Sequence, residues 1–340
     1  MKKQLLIFCL AAMVCIGFAG VGSVDAAEII NLTAMPPGSL VNACAVGISN
    51  ITSKYTDMNL KVIPKTNERA WVPLMATGEA DLGLGNATAL RNAFLGVDVF
   101  EEIGKQVNVK GFPLRLVTIG SPIISQFTVR GDDPAQKISD LKGYRMPYYP
   151  DGTFAKLMTD ARLANGGLTV KDIKPVLFSN PIEACKALIA GRTQAADIAI
   201  FAPIAVEAVS KVGMRYIPLD VSPEALARYK AFNPTFYAYR VPGGVYAGIP
   251  EPMWLSAFDI YYVARTDLDE EAVYTLTKTL WERNDELVKS PGLAMWKKDR
   301  FVTDEIWLPY HPGAIKFYKE VGVWTDKAEE LQQARLAEAP

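Results

Sequence analysis

From Glu28 to Asn86 the chain alternates between two hydrophobic patterns, and this constrains its fold more than any other feature. "EIINLTAM" reads as a buried strand and "PPGSL" as the loop after it. "VNACAVGISNITSKY" places Val41, Ala45, Ile48 and Ile51 at helical spacing, and "NLKVIPKT" is a second strand. "AWVPLMATGEA" is a short helix stopped by Gly78, and "DLGLGN" a third strand. Strand, helix, strand, helix, strand implies a parallel sheet with crossover helices.

The pattern recurs. "LMATGEADLGLGNA" (74–87) and "LIAGRTQAADIAIFAP" (188–203) are each a helix end, a Gly, an Asp and a strand of apolar and small residues, about 110 residues apart. This weak self-similarity suggests two lobes built alike, against chance recurrence in any α/β chain. Between the copies, "PLRLVTIGSPIISQFTVRGDDPAQKISDLKGYRM" reads as two strands almost without a break, then a helix ending at Gly143. "AFDIYYVARTDLDEEAVYTLTKTLWERNDEL" reads as a return strand and a long amphipathic helix, with Val273, Leu276, Leu280 and Leu287 near helical spacing. Asp267, Asp269, Glu270 and Glu271 suit that helix's N-terminus. Extended crossings between lobes are expected near 119–129 and 258–264.

Lys2 and Lys3 precede an apolar run from Leu5 to Gly20, which ends in "SVDAAE". This has the form of a secretory signal peptide cleaved after Ala26, and the run is short for a transmembrane helix. A periplasmic location is expected. Cys9 and Cys15 leave with the signal; Cys44 and Cys185 remain and read as small apolar helix residues with free thiols. The formal charge is −1, near −2 after cleavage, and no charge block appears. Nucleic acid and polybasic membrane anchoring are therefore not expected. The length suits two domains.

"KGYRMPYYPDGTFAKLM" (142–158) poses a functional question. Two prolines and an Asp-Gly pair lead into Thr153 and a helix-like run. Such a loop leaves backbone N–H groups free at a helix start, where anions bind. Gly152, Thr153 and Phe154 are thus candidate contacts for a carboxylate, Gly152 because no side chain blocks its backbone.

"TGEADLGLGNA", "ISDLKGYRM" before a Gly-Thr turn, "VYAGIPEP" and above all "PYHPGAIKFYKEVG" resemble the TAXI branch of TRAP-transporter solute receptors. The resemblance covers about Ile29 to Val323. It implies a two-lobed periplasmic-binding-protein fold, type II-like, each lobe a mostly parallel sheet flanked by helices and closing on a small carboxylate. The expected division is a signal peptide at 1–26, lobe 1 from 27–124 and 265–340, and lobe 2 from 125–264. The implied partners are a small carboxylate ligand and the TRAP membrane permease. A monomer without cofactor or metal is expected.

The sequence departs from that family at three loops. "PPGSLVN" stands where many members have a glycine-rich loop ending in Thr-Tyr-Tyr, "TNERAW" where many have Gly-Gly-Ser, and "GNAT" where many have Gln-Ser-Asp. These loops leave the carboxyl ends of parallel strands, where ligands bind in open α/β sheets. They offer Ser39, then Thr66, Asn67 and Arg69, then Asn86 and Thr88, with Arg91 one turn on. Arginine grips a carboxylate bidentately. An acidic residue of the family at the place of Thr88 would suit an α-ammonium group, so its absence points to an organic acid without one, a mono- or dicarboxylate. Tyr149 and Phe201 are further candidates for an apolar wall. The competing structural roles are a cap for Ser39, pairing with Glu68 or Glu79 for Arg69, solvent exposure for Arg91, and loop or core packing for Tyr148, Tyr149, Phe154 and Phe201.

His311 is the only histidine. No cluster with metal spacing accompanies it, and neither a Gly-x-Ser-x-Gly elbow nor a Walker-type loop exists, so a structural role is expected rather than a general base. The expectation is a receptor that does no chemistry. The alternatives are a receptor for glutamate or another amino acid, a secreted enzyme on the same fold, and a sensor lobe.

Overall fold

The computed structural model describes residues 29–340 other than Gly38 and Gly152. The signal segment, with Cys9, Cys15 and the site after Ala26, and the Gly152 contact lie outside the described residues.

The first β–α run forms as its periodicity dictates: β1 (Ile29–Ala34), α1 (Leu40–Tyr55), β2 (Asn59–Pro64), α2 (Glu68–Thr77), β3 (Leu82–Asn86), α3 (Ala87–Leu95) and α4 (Val99–Gln106). β1 pairs in parallel with β2 and β3. Val41, Ala45, Ile48 and Ile51 form the buried stripe of α1. Gly78 ends α2 in the left-handed conformation, at φ 76°, with its N–H on the Leu74 carbonyl.

The next segment is one unbroken strand, β4 (Leu114–Val129), rather than two. β5 (Arg145–Tyr148) follows after a single 3-10 turn at Ile138–Leu141, where the sequence suggested a helix. Here Asp140 caps the N–H groups of Gln136 and Lys137, and Gly143, at φ 80°, turns the chain away after it. Then come α5 (Phe154–Asn165), β6 (Lys174–Leu177), α6 (Pro181–Ile189), β7 (Ala195–Ala199), α7 (Pro203–Val212), β8 (Arg215–Tyr216), α8 (Pro223–Lys230) and β9 (Tyr237–Val241). The return strand is β10 (Met253–Arg265), followed by α9 (Glu270–Glu282), α10 (Asn284–Leu287), α11 (Pro312–Glu320) and α12 (Asp326–Ala337). The long helix expected through Leu287 is thus broken at Arg283, whose ψ of 17° departs from the helix.

β4 and β10 tie the molecule together. The main sheet runs β2-β1-β3-β10-β4-β7, with β8 on β4 and β9 on β10, and β10 is antiparallel to β3, β4 and β9. In the second half, parallel pairing among the described residues is confined to β5 and β6. The fold is two-lobed α/β, with helices around a sheet that continues through both lobes. Its buried apolar residues separate accordingly. One cluster joins residues between Ile30 and Ile119 to those between Ile260 and Tyr318, and two more draw on residues from Ile124 to Phe258.

His311 is the N-cap of α11. It is 2% exposed, precedes Pro312 at the start of α11, and its Nδ1 accepts the Gly313 N–H at 3.2 Å. Burial lowers its pKa below the usual histidine range.

Candidate functional site

A cavity of about 910 Å³ lies between the lobes. A smaller recess of about 350 Å³ sits beside Gly78 and Arg265. Arg265 is committed there to Asp267 at 2.7 Å, and the large cavity receives the ends of the parallel strands.

From the first lobe the cavity is lined by Met35 and Val41 around the β1–α1 loop, by Thr66, Asn67, Glu68 and Arg69 after β2, and by Asn86 and Thr88 after β3. From the second lobe come Thr153, Phe154, Lys156 and Asp160 of the α5 start, and Ser179 and Asn180 after β6. Ile123 of β4 and Phe258 of β10 stand opposite each other in register and form the floor.

Five helices begin on this cavity; four carry a polar side-chain cap, and α4, which follows Asp98, has none. Asn67 accepts the Ala70 N–H at 3.2 Å, Asn86 that of Ala89 at 2.8 Å, Thr153 that of Lys156 at 3.3 Å, and Asn180 that of Glu183 at 3.0 Å. A helix N-terminus carries roughly half a positive charge, so four of them favour an anion between the lobes. Arg69 adds a cation in the first turn of α2, where it opposes the helix dipole.

The remaining charges are mixed. The buried Glu68 carboxylate braces two loops, accepting from the Asn86 backbone at 3.0 Å and from its side chain at 2.7 Å. Lys156 holds Asp160 at 2.9 Å, and the Tyr148 hydroxyl donates to the same carboxylate. The hydrogen bond to Asp160 raises the Lys156 pKa. Asn92 donates to Asp98 at the cavity edge. The Phe154 ring packs edge-on against Phe258, 4.6 Å between centroids, so the floor is aromatic.

Asn67, Arg69, Asn86, Thr88, Thr153 and Phe154 therefore line one cavity. Other candidates lie elsewhere. Ser39 caps α1, accepting from Asn42, and is not among the lining residues. Arg91 turns away from the cavity onto Trp307, 5.7 Å from its ring, beside Arg335. Tyr149 is 1% exposed and donates to Asp197, which the buried Arg162 also binds. Phe201 packs on Tyr246 in the second lobe, 5.3 Å between rings. Thr153 does line the cavity, but its N–H and hydroxyl both point at the Pro150 carbonyl, at 3.3 and 2.7 Å. Ser39 makes the same two bonds to Pro36, at 3.2 and 2.8 Å.

Sequence reasoning missed Lys156, Asp160, Asp98, Asn180 and the Ile123–Phe258 floor. For Asn180 a signal existed. Like Asn67, it follows the second strand of its run and caps the next helix, and "SNPIEA" has proline at the first helical position. The recurrence extends to the preceding loops, "PPGS" at 36–39 and "PDGT" at 150–153.

Residues 32–322 match the NMT1-like family. The chain belongs to that family. Solved structures similar to this NMT1-like chain include SsuA, a periplasmic sulfonate-binding protein from Methylobacillus flagellatus KT. It is 14% identical with a TM-score of 0.51, covering 92% of this chain and 88% of that one. A TctC solute-binding protein from Polaromonas is also 14% identical at a TM-score of 0.51, covering 78% of this chain and 86% of that one. At these identities the likeness concerns the fold, which is that of periplasmic solute-binding proteins.

Proposed function

We propose that this NMT1-like protein is an extracytoplasmic solute receptor that captures a small organic acid between its lobes and delivers it to a membrane permease. The observation that carries this reading is the convergence of four capped helix N-termini and Arg69 on one interlobe cavity. The lobes are 27–124 with 265–340, and 125–264. The resemblance of "PYHPGAIKFYKEVG" to TAXI receptors supports a TRAP-type permease and a periplasmic location.

The ligand's form follows from the walls. Glu68, Asp98 and Asp160 outnumber Arg69 and Lys156, so a second anionic group would meet repulsion; one anionic head is favoured. Met35, Val41, Ile123, Phe154, Leu157 and Phe258 suit an apolar body. An amino group finds only carboxylates already engaged, with Lys156, Asn92 or Asn86, which favours an acid without one over glutamate. Binding needs no chemistry. Burial of the anion against preformed donors supplies affinity, less the cost of closure.

Native mass spectrometry of gently purified protein tests this. The expected result is a bound monocarboxylate with an aryl or alkyl body. Arg69→Met should then weaken its binding about ten- to a hundredfold, as loss of a charged hydrogen bond implies, whereas Thr153→Val, since the Thr153 hydroxyl is held by Pro150, should act only through the α5 cap. A sulfonate, as the name of SsuA suggests, would keep the anion site and change the head group. Steady conversion of the solute, or a bound cation, would overturn the reading.

A further inference from the structure

The strand connection between the lobes is narrow. β3 pairs with β10 only over Ile260–Ala264, β9 only over Met253–Ala257, and β7 reaches β4 only at Ser125–Val129. Between these limits β4 and β10 pair chiefly with each other, through Ile123 with Phe258 and Pro122 with Asp259. The register then slips between Asp259 and Tyr261. A bulge bends and twists a ribbon, and Pro122 offers no N–H to secure it, so few residues absorb any rotation of one lobe on the other.

The two faces of this ribbon do different things, because successive side chains of a strand point to opposite sides. Ile123 and Phe258 face the cavity. Asp259 faces the other way, where Arg300 meets it at 2.5 Å and the Tyr237 hydroxyl donates to it at 2.6 Å. Arg300 also donates to the Gly120 carbonyl at 3.3 Å and to the Tyr237 oxygen at 3.2 Å. It stands in a short turn, Lys298–Arg300, next to Phe301, which is fully buried in the first-lobe core. Tyr237 is the first residue of β9 in the second lobe. One guanidinium thus ties a first-lobe segment to both crossing strands and to the second lobe. It is not among the cavity-lining residues.

We propose that Arg300 is a positioning residue: clamping Asp259, Tyr237 and Gly120, it fixes the twist of the crossing ribbon and so the angle between the lobes. Through Ile123 and Phe258 on the opposite face, that twist sets the width of the cleft without any contact to ligand. This rests on the receptor reading, in which cleft width governs capture.

The test uses ligand-free protein, so its outcome does not depend on which solute is bound. Nitroxide labels at Asp57→Cys and Lys171→Cys, one on each lobe, report the interlobe distance by pulsed electron resonance. Arg300→Met should shift the mean distance by about 2 Å or more, or clearly broaden its distribution. Arg300→Lys, which keeps the charge on Asp259 but not the fork to Tyr237 and Gly120, should recover part of the native distribution. Native distributions in both variants, with the fold intact, would overturn the clamp and leave the receptor reading to the mass spectrometry. Should Arg300→Met fail to fold, Tyr237→Phe decides: a shift in the same direction supports the clamp, and an unchanged distribution overturns it.

Discussion

The hydroxyls of Thr88 and Thr235 lie 2.6 Å apart across the two lobes, and both residues are buried. Thr88 opens α3 beside the cavity, and Thr235 precedes β9. Each hydroxyl bonds the other, so Thr88→Val leaves the buried Thr235 hydroxyl without that hydrogen bond. A loss of about 1–3 kcal/mol is expected, read by urea unfolding. Thr88→Val with Thr235→Val removes both polar groups and should recover most of that loss. A double variant as unstable as the sum of its singles would show that the pair is not coupled.

Glu68 is predicted to be the brace of the anion site rather than a ligand contact. Its carboxylate takes both the backbone and side-chain N–H of Asn86, whose own oxygen caps α3. Glu68→Ala should destabilise the protein by about 1.5–3 kcal/mol. Glu68→Gln retains an acceptor oxygen and should stay close to wild type. Equal unfolding midpoints for all three proteins would dismiss the brace.

Glu329 carries a pH dependence whose sign is fixed by its partners. Trp324, Gln333 and Lys319 all donate to its carboxylate, at 2.8, 3.0 and 3.1 Å, and lower its pKa from 4.5 to about 2. The folded state therefore favours the ionised form. Its contribution is complete above pH 4.5 and is lost as the pH falls toward 2. Carbon-detected NMR of the Glu329 carboxyl should show a midpoint near 2, and Trp324→Phe should move it upward. An unshifted midpoint in wild type would mean that this cluster does not form.

Cys44 and Cys185 are both buried and free. Burial pushes the Cys44 thiol up to about 12 and the Cys185 thiol up to about 11. The thiolate is the reactive form, so maleimide at neutral pH should spare both in the native protein and modify both in denaturant. Peptide mapping checks this, and rapid native labelling at either position would contradict their burial.

The local chemistry of the site was legible in the sequence. Strand–helix alternation follows from hydrophobic period, and the cap at Ser39 from a side chain that bonds its own neighbouring backbone; Asn67, Asn86 and Thr153, named from the sequence as ligand contacts, cap their helices in the same way. These are interactions over a few residues, and a sequence holds them entire. Most strand ends and helix starts that line the cavity could therefore be named in advance; Asn180 and the α4 start at Asp98 were not.

The tertiary structure alone decided which side chains meet. Arg91 lies one turn beyond the Asn86 cap, yet its helix face meets Trp307 from the far end of the chain. Tyr149 and Thr153 belong to one loop, but Asp197 and Arg162 draw the tyrosine into the core while Thr153 stays at the cavity. Lys156 with Asp160, the floor of Ile123 and Phe258, and the Arg300–Asp259 contact depend on strand register and on which helix faces pack together. Those choices are made by burial summed over residues distant in sequence, and no local pattern carries them.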